Sequence, residues 1–447
     1  MANLNYRNFL KKPVIEKITD PAIIDQTYRY WRIRTLYSMY IGYAAFYLTR
    51  KSFTFIIPQM IRDLHFTKEQ IGILGSVFYI TYGISKFISG MISDKANPRY
   101  FMVIGLIATG ITNIFFGLSS SLSYLIFFWL INGFFQGWGW PPCARLLTHW
   151  YSQSERGRWW GAWNTAHNLG GAMIPIITAI SVILFANWRA AMFVPGIATI
   201  IISLFIFNRL RDIPESQGLP PIEAYHNEYT QNYSEKFINQ SITSMFLNYV
   251  FKNYYIWLLG FSYVFVYVVR TAINDWGSPF LTEQGYTLMR ANSCMSFFEI
   301  GGLIGSLVAG WCSDKFFKGL RGQTNVLFSL GVVILLLCFW FIPGEHLVLH
   351  SAIMFGIGFF VFGPQMLIGM VAAELSHKEV AGTASGFVGL FGYLGAAMSG
   401  YPIGLTIDHY SWSGFFIIIT VCAILSILLL IPLWKVSGYK QIFKNQV

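Results

Sequence analysis

Long apolar runs alternate with short polar breaks along this chain, and reading the runs predicts helical spans near residues 33–60, 70–92, 100–118, 121–149, 159–184, 190–208, 253–281, 288–312, 324–343, 349–374, 381–407 and 411–434. Each is close to the roughly 20 apolar residues that a helix needs to cross a bilayer. The longest polar stretch, from Arg209 to about Lys252, contains PESQGLPPIEAYHNEYTQNYSEK and divides the spans six and six. The pattern therefore predicts an all-α integral membrane protein of twelve transmembrane helices in two six-helix bundles. Its layout is an N-terminal tail (1–32), a first bundle (33–208), a connector (209–252), a second bundle (253–434) and a C-terminal tail (435–447).

Composition turns this reading from possible to required. Of 447 residues, 55% are hydrophobic and only 11% carry a formal charge, against about 25% in a soluble domain. A soluble fold of any size must cover its outside with polar groups, so most of this outside faces lipid. Soluble enzymes, disordered scaffolds and small secreted modules are excluded. The net charge of +11 would suggest nucleic acid in a soluble protein, but here it follows from basic cytosolic loops, and no nucleic-acid partner is expected. With both termini cytosolic, most Lys and Arg fall on the inner side, while only Arg62, Lys68, Arg189 and Arg290 fall outside. The asymmetry supports that orientation. The N-terminal residues lack an apolar core followed by a small-residue cleavage site and read as a cytosolic tail. Cys143, Cys294, Cys312, Cys338 and Cys422 are scattered without metal spacing, so no disulfide frame, metal or cofactor is expected.

The two halves repeat. Gly90-Met-Ile-Ser-Asp94-Lys95 closes the second span and Gly310-Trp-Cys-Ser-Asp314-Lys315 the eighth, an offset of 220 residues that also carries Arg50 to Arg270. Leu169-Gly-Gly-Ala172 and Leu394-Gly-Ala-Ala397 give a second pairing. Several landmarks in one order indicate a duplicated six-span unit. The paired GxxxD-K/R loops resemble those of the major facilitator superfamily. There Asp94 and Asp314 would hold a cytosolic gate against basic residues and helix ends, where isolated copies would be ordinary loop charges.

Four basic residues, Arg50, Lys51, Lys86 and Arg270, lie within or at the end of spans. An arginine in hydrocarbon costs from a few to more than about ten kcal/mol, so it faces a wet cavity or a fixed partner. Pseudo-symmetry predicts that Arg50 and Arg270 sit at similar depth in opposite halves, where a dianionic phosphate is the simplest ligand to neutralise both. A guanidinium fork matches phosphate bidentately and keeps its charge at any relevant pH. The competing reading pairs each within its own half, Arg270 with Asp275 or Glu299, for folding alone. Tyr43 and Tyr47 share a helix face with Arg50, and Tyr267 and Asn274 share one with Arg270. Tyr79, Tyr82 and Lys86 form another face, Lys86 being either a third intramembrane cation or a snorkelling lysine. Asn164 and His167 interrupt the fifth span, where His167 would bond a phosphate oxygen or bridge two helices. No nucleotide-binding fingerprint appears, so transport would draw on a solute gradient.

The segments GYAAFYLTRKSF, YGISKFISGMISDKANPR, FQGWGWPPCARLLTHWYSQSERGRWWGAWNTAHNLGG and FVYVVRTAINDWG closely resemble the organophosphate:inorganic phosphate antiporters, a branch of the major facilitators, over nearly the whole chain. The resemblance implies a monomeric, multi-pass inner-membrane protein and no enzyme. It would import a sugar phosphate, most simply glucose 6-phosphate, against internal inorganic phosphate. It implies Arg50 and Arg270 as the phosphate-binding pair, with Lys86, His167, Tyr43, Tyr47, Asn164, Tyr267 and Tyr393 lining the same cavity. As polar residues of the spans, Asn274, Asp275, Glu299 and Tyr393 would contact the sugar side. The branch also contains transporters of glycerol 3-phosphate and phosphoglycerate, and a receptor working with a membrane histidine kinase. The glycerol-3-phosphate transporter has a tyrosine where this sequence has Phe362, which counts against that substrate.

Overall fold

The computed structural model describes residues 17–93, 96–226, 244, 246–342, 344, 346–376 and 380–436, and among these all regular structure is helical. The first half runs α1 (Pro21–Lys51), α2 (Ile57–Leu64), α3 (Lys68–Ser93), α4 (Pro98–Leu118), α5 (Leu122–Gln136), α6 (Trp140–Trp150), α7 (Gln153–Phe185) and α8 (Ala190–Arg209), with a short α9 (Ile222–Tyr225) in the connector. The second half runs α10 (Tyr254–Glu283), α11 (Leu288–Lys315), α12 (Arg321–Phe341), α13 (Leu347–Glu374), α14 (Ala381–Met398) and α15 (Tyr401–Leu430). With α5 and α6 as one broken span, and α2 and α9 set aside, the twelve long elements follow the apolar runs in order. By length and composition, eight helical stretches of the described residues qualify as membrane spans, one of them holding both α14 and α15.

The ends of these helices are set by polar chemistry that hydropathy does not see. The first begins at Pro21, well before the apolar run, because Asp20 accepts the Ala22 N–H (2.9 Å) and a proline suits the first helical turn. It stops at Lys51 although the run continues to residue 60. A 3₁₀ turn (Thr54–Ile56) intervenes, and Pro58 opens the first turn of α2. The last two helices meet at Ser399–Gly400, earlier than the expected break near residue 410, and Ser411 (φ 58°) marks a kink inside α15.

The span formed by α5 and α6 breaks at Gly137-Trp-Gly139. A Cβ on Gly137 would lie 2.5 Å from Ser85 Oγ, and one on Gly139 2.8 Å from the Phe46 ring, so only glycine lets this backbone pass its neighbours. A broken helix inside a bilayer must find donors for its released carbonyls. Ser85 donates to the Phe134 carbonyl and Ser89 to that of Gly137 (2.6 Å). The break leaves Gln136 as the last residue of α5.

By internal contacts the chain forms two compact units, residues 1–52, 81–171 and 189–235, and residues 53–80, 172–188 and 236–447. In the first, Met39, Phe46, Met102, Leu147, Trp150 and Trp163 form the buried core between α1, α4, α6 and α7. Asn113 ties α4 to its neighbours, donating to Ser52 Oγ (3.1 Å) and the Met192 carbonyl (3.0 Å). In the second, α11 packs on α13 along a glycine seam, where a Cβ on Gly305 would fall 1.9 Å from the Phe359 carbonyl oxygen. Lipid supplies no hydrophobic drive for helices to associate, so such close backbone approach supplies it through van der Waals contact.

Candidate functional site

Arg50 occupies the last turn of α1, half-buried in the first unit. Its Nε donates to Gln136 Oε1 (3.2 Å) and its Nη2 to the Tyr82 hydroxyl (3.2 Å). Gln136 is oriented in turn, its amide donating to Thr49 Oγ1 (3.0 Å) and Asn132 Oδ1 (3.2 Å). The guanidinium carbon lies 4.4 Å from the centre of the Tyr47 ring and 4.5 Å from that of Tyr82. A planar cation between two aromatic faces gains cation–π attraction while its fork stays aligned.

The other first-unit residues gather around this arginine. Tyr43 and Tyr47 meet edge to face at 5.8 Å, Tyr43 lies 4.8 Å from the Trp163 ring, and Tyr47 lies 5.9 Å from that of His167. Lys86 sets its ammonium 5.2 Å from the Trp140 ring. His167 Nδ1 is 2.5 Å from the carbonyl oxygen of Asn164. A carbonyl only accepts, so Nδ1 carries the proton and a neutral His167 presents Nε2 as an acceptor. Sequence reading missed Gln136, Trp140 and Trp163. The run GFFQGWGW displays Gln136 and Trp140, and WWGAWN displays Trp163, but only the helix break shows that Gln136 is a ligand of Arg50.

The second unit is built differently. Arg270 lies against the Phe362 ring (4.6 Å) and the Tyr267 ring (5.6 Å), with Tyr393 6.2 Å beyond Tyr267. Tyr263 donates to the Gln365 carbonyl (2.8 Å), fastening α10 to α13 behind that wall. Asn274 and Asp275 are buried one turn further along α10, where Asp275 Oδ1 accepts from Asn274 (2.6 Å) and Thr54 (3.2 Å), and Oδ2 accepts from Tyr79 (3.0 Å). Tyr79 and Tyr82, expected on one face, thus serve different centres. Glu299 is buried in α11. Asp314 accepts from Arg321, which also reaches Glu374 at 3.4 Å. Asp94 lies outside the described residues. Among the described residues no cluster suited to a metal ion occurs.

Twelve long helices in repeated halves, with arginines, tyrosines and a histidine in their interior, define a polytopic membrane transporter. Residues 39–400 match the family model of the Major Facilitator Superfamily. The chain is 52% identical over 436 residues to the probable hexose phosphate transport protein of Chlamydia trachomatis, covering 95% of each chain. It is 50% identical over 427 residues to the membrane sensor protein UhpC of Escherichia coli, covering 95% of this chain and 97% of that one. In fold it is similar to a bacterial homologue of the human lysosomal transporter Spinster, solved inward-facing and unoccupied, with a TM-score of 0.72 and 14% identity over 90% of this chain and 95% of that one. The protein belongs to the major facilitator superfamily and, within it, to the organophosphate:inorganic phosphate antiporter family. It is a multi-pass membrane protein of a transporter family, not an enzyme.

Proposed function

We propose that the protein imports a sugar phosphate, glucose 6-phosphate foremost, in exchange for internal inorganic phosphate across the inner membrane, with both termini in the cytosol. The observation that carries this reading is the mounting of Arg50. An intramembrane guanidinium is held by Gln136 and Tyr82 between two tyrosine rings, with Lys86 and His167 on the neighbouring helices of the same unit. Such a mount orients a fork for an oxyanion.

Arg50 and Arg270 bind the phosphate shared by both substrates, one from each half, in an alternating-access cycle. Without an anion their charges repel and disfavour the closed intermediate, so only a loaded carrier crosses between states. Lys86 adds a third cation. His167 donates to phosphate through Nε2 only as imidazolium, which links binding to a proton. Tyr43, Tyr47, Tyr82, Asn164, Tyr267 and Tyr393 line the cavity. Asn274, Asp275 and Glu299 complete it toward the sugar, and Asp94 and Asp314 act in the cytosolic gate.

The test is exchange in liposomes loaded with inorganic phosphate and offered glucose 6-phosphate, glycerol 3-phosphate or 3-phosphoglycerate. Arg50→Gln and Arg270→Gln should each lower exchange by about 100-fold or more, since truncating a buried charged contact costs roughly 2–5 kcal/mol. Intact exchange in either variant overturns the assignment. The 50% identity to a membrane sensor protein favours a second reading, a receptor with the same site reporting to a sensor kinase. Saturable binding of glucose 6-phosphate without exchange would establish it.

A further inference from the structure

We propose that Arg34, Arg99 and Arg211 form a binding site for the phosphodiester headgroup of an anionic phospholipid, beside the C-terminal end of α8. All three side chains are half-buried, and among the described residues none forms an ion pair with a carboxylate. The carboxylate beside Arg211 in sequence, Asp212, is buried and engaged with Arg145 at 3.4 Å.

Part of each fork is spent on the open end of α8. Arg34 Nε donates to the Arg209 carbonyl (3.2 Å) and Nη2 to that of Asn208 (3.2 Å), while Arg99 Nε donates to the Phe207 carbonyl (2.5 Å). Arg211 Nη1 donates to the carbonyls of Asn208 (2.9 Å) and Leu210 (2.8 Å). A helix end carries only about half a negative charge, so capping accounts for a fraction of three cations. The remainder crowd one another. Burial, then the charges of Arg99 and Arg34, hold Arg211 below the usual guanidinium range. A phosphodiester would relieve that repulsion, and its oxygens match the free fork N–H groups.

The surroundings fit a lipid rather than a soluble anion. The guanidiniums lie over aromatic faces, Arg34 over Trp31 (4.9 Å), Arg99 over Phe207 (4.2 Å) and Arg211 over Trp31 (5.0 Å). Along α8 from them, toward the middle of the span, stand the exposed apolar side chains Leu204 (60% exposed) and Ile201 (61%). Cations collared by aromatic rings beside an exposed apolar track match a lipid headgroup and its acyl chain.

Native mass spectrometry of the full-length protein in detergent, titrated with phosphatidylglycerol, phosphatidylcholine or inorganic phosphate, tests this. The readout does not depend on membrane orientation or on transport, so it fails separately from the function proposed above. The wild type should retain phosphatidylglycerol over phosphatidylcholine, and the double variant Arg99→Gln/Arg211→Gln should bind it roughly thirtyfold more weakly, at about tenfold per 1.4 kcal/mol and about 1 kcal/mol per basic residue. Arg99→Lys/Arg211→Lys, which keeps the charge, should lose less, and only the folded charge-state envelope is scored. Equal retention of the two lipids, unchanged binding in the Gln double variant, or full competition by inorganic phosphate would each overturn the proposal.

Discussion

Arg50 and Arg270 occupy matching places in the duplicated halves, 220 residues apart, yet Arg50 lies between two tyrosine rings, Tyr47 and Tyr82, whereas Arg270 lies between a tyrosine, Tyr267, and a phenylalanine, Phe362. Arg50 donates to Gln136 and Tyr82, and Gln136 is itself anchored by Thr49 and Asn132. Arg270 is flanked by Tyr267 and Phe362, and its polar neighbours one turn on, Asn274 and Asp275, bind each other and Thr54 and Tyr79. Duplication preserved the charge and not its environment. We propose that both arginines bind the phosphate common to every substrate, and that the Phe362 ring beside Arg270 is the wall that distinguishes one organic group from another.

The sharpest way to break this comparison is to keep both charges and remove both forks. Arg50→Lys should lower exchange about 100-fold, because lysine cannot satisfy Gln136 and Tyr82 together. Arg270→Lys should cost about tenfold, since Phe362, where Arg50 has Tyr82, offers a ring face that attracts an ammonium as well as a guanidinium and no hydroxyl to lose. Equal losses in liposome exchange would erase the distinction.

Packing behind the two arginines gives the next test. A Cβ on Gly170 would meet the Ala44 carbonyl oxygen at 2.6 Å, backbone that cannot yield, whereas one on Gly302 would meet the Phe362 ring at 2.5 Å. Gly170→Ala should lower stability by about 1–3 kcal/mol, read as a fall in Tm in detergent. Gly302→Ala should push Phe362 toward Arg270 and change substrate preference with a smaller fall in Tm. Phe362→Tyr isolates that wall more gently. By adding one hydroxyl it should shift the ratio of glycerol 3-phosphate to glucose 6-phosphate transport toward the former by up to about tenfold, one hydrogen bond's worth. If the ratio changes instead on Gln136→Leu, the role assigned to Phe362 is overturned.

The smallest effect concerns the surface ends of the same two units. Glu155 accepts from Arg32 at 2.5 Å and lies 3.6 Å from His226 beside α9, while in the second unit Asp314 and Glu374 share Arg321. Burial raises the Glu155 carboxyl, but hydrogen bonds from Arg32, Trp159 and Ser152 outweigh it and hold the group below its ordinary 4.5. A lowered native value means that its contribution is fully present above about 4.5 and fades as pH falls through the lowered value. Proteolysis within the connector should therefore rise at acid pH, and Glu155→Gln should raise it at neutral pH and flatten the dependence. The change should be modest, since a partly exposed pair is worth about 0.2–1 kcal/mol.

Much of this protein was legible in the chain. Twelve spans, the repeat and the intramembrane cations could be read directly because lipid punishes any polar residue placed without purpose, so each exception announces itself. Helix ends were less legible. Asp20 extends α1 outward by a side-chain cap, and the turn at Thr54–Ile56 cuts an apolar run that hydropathy treats as continuous. In the site, Tyr43 and Tyr47 could be anticipated from helical spacing, which fixes neighbours on one helix, and His167 as a polar interruption of an apolar span. Gln136, Trp140 and Trp163 could not, for they reach the site across helix interfaces. The sequence by itself determined the class, the repeat and which charges must be explained. Only the tertiary structure decided that Arg50 donates to Gln136 and Tyr82, that Arg270 lies on Phe362, and that Arg34, Arg99 and Arg211 meet at the end of α8. Hydropathy is a property of one segment, whereas a partner is chosen by whichever distant segment folding brings within about 3 Å.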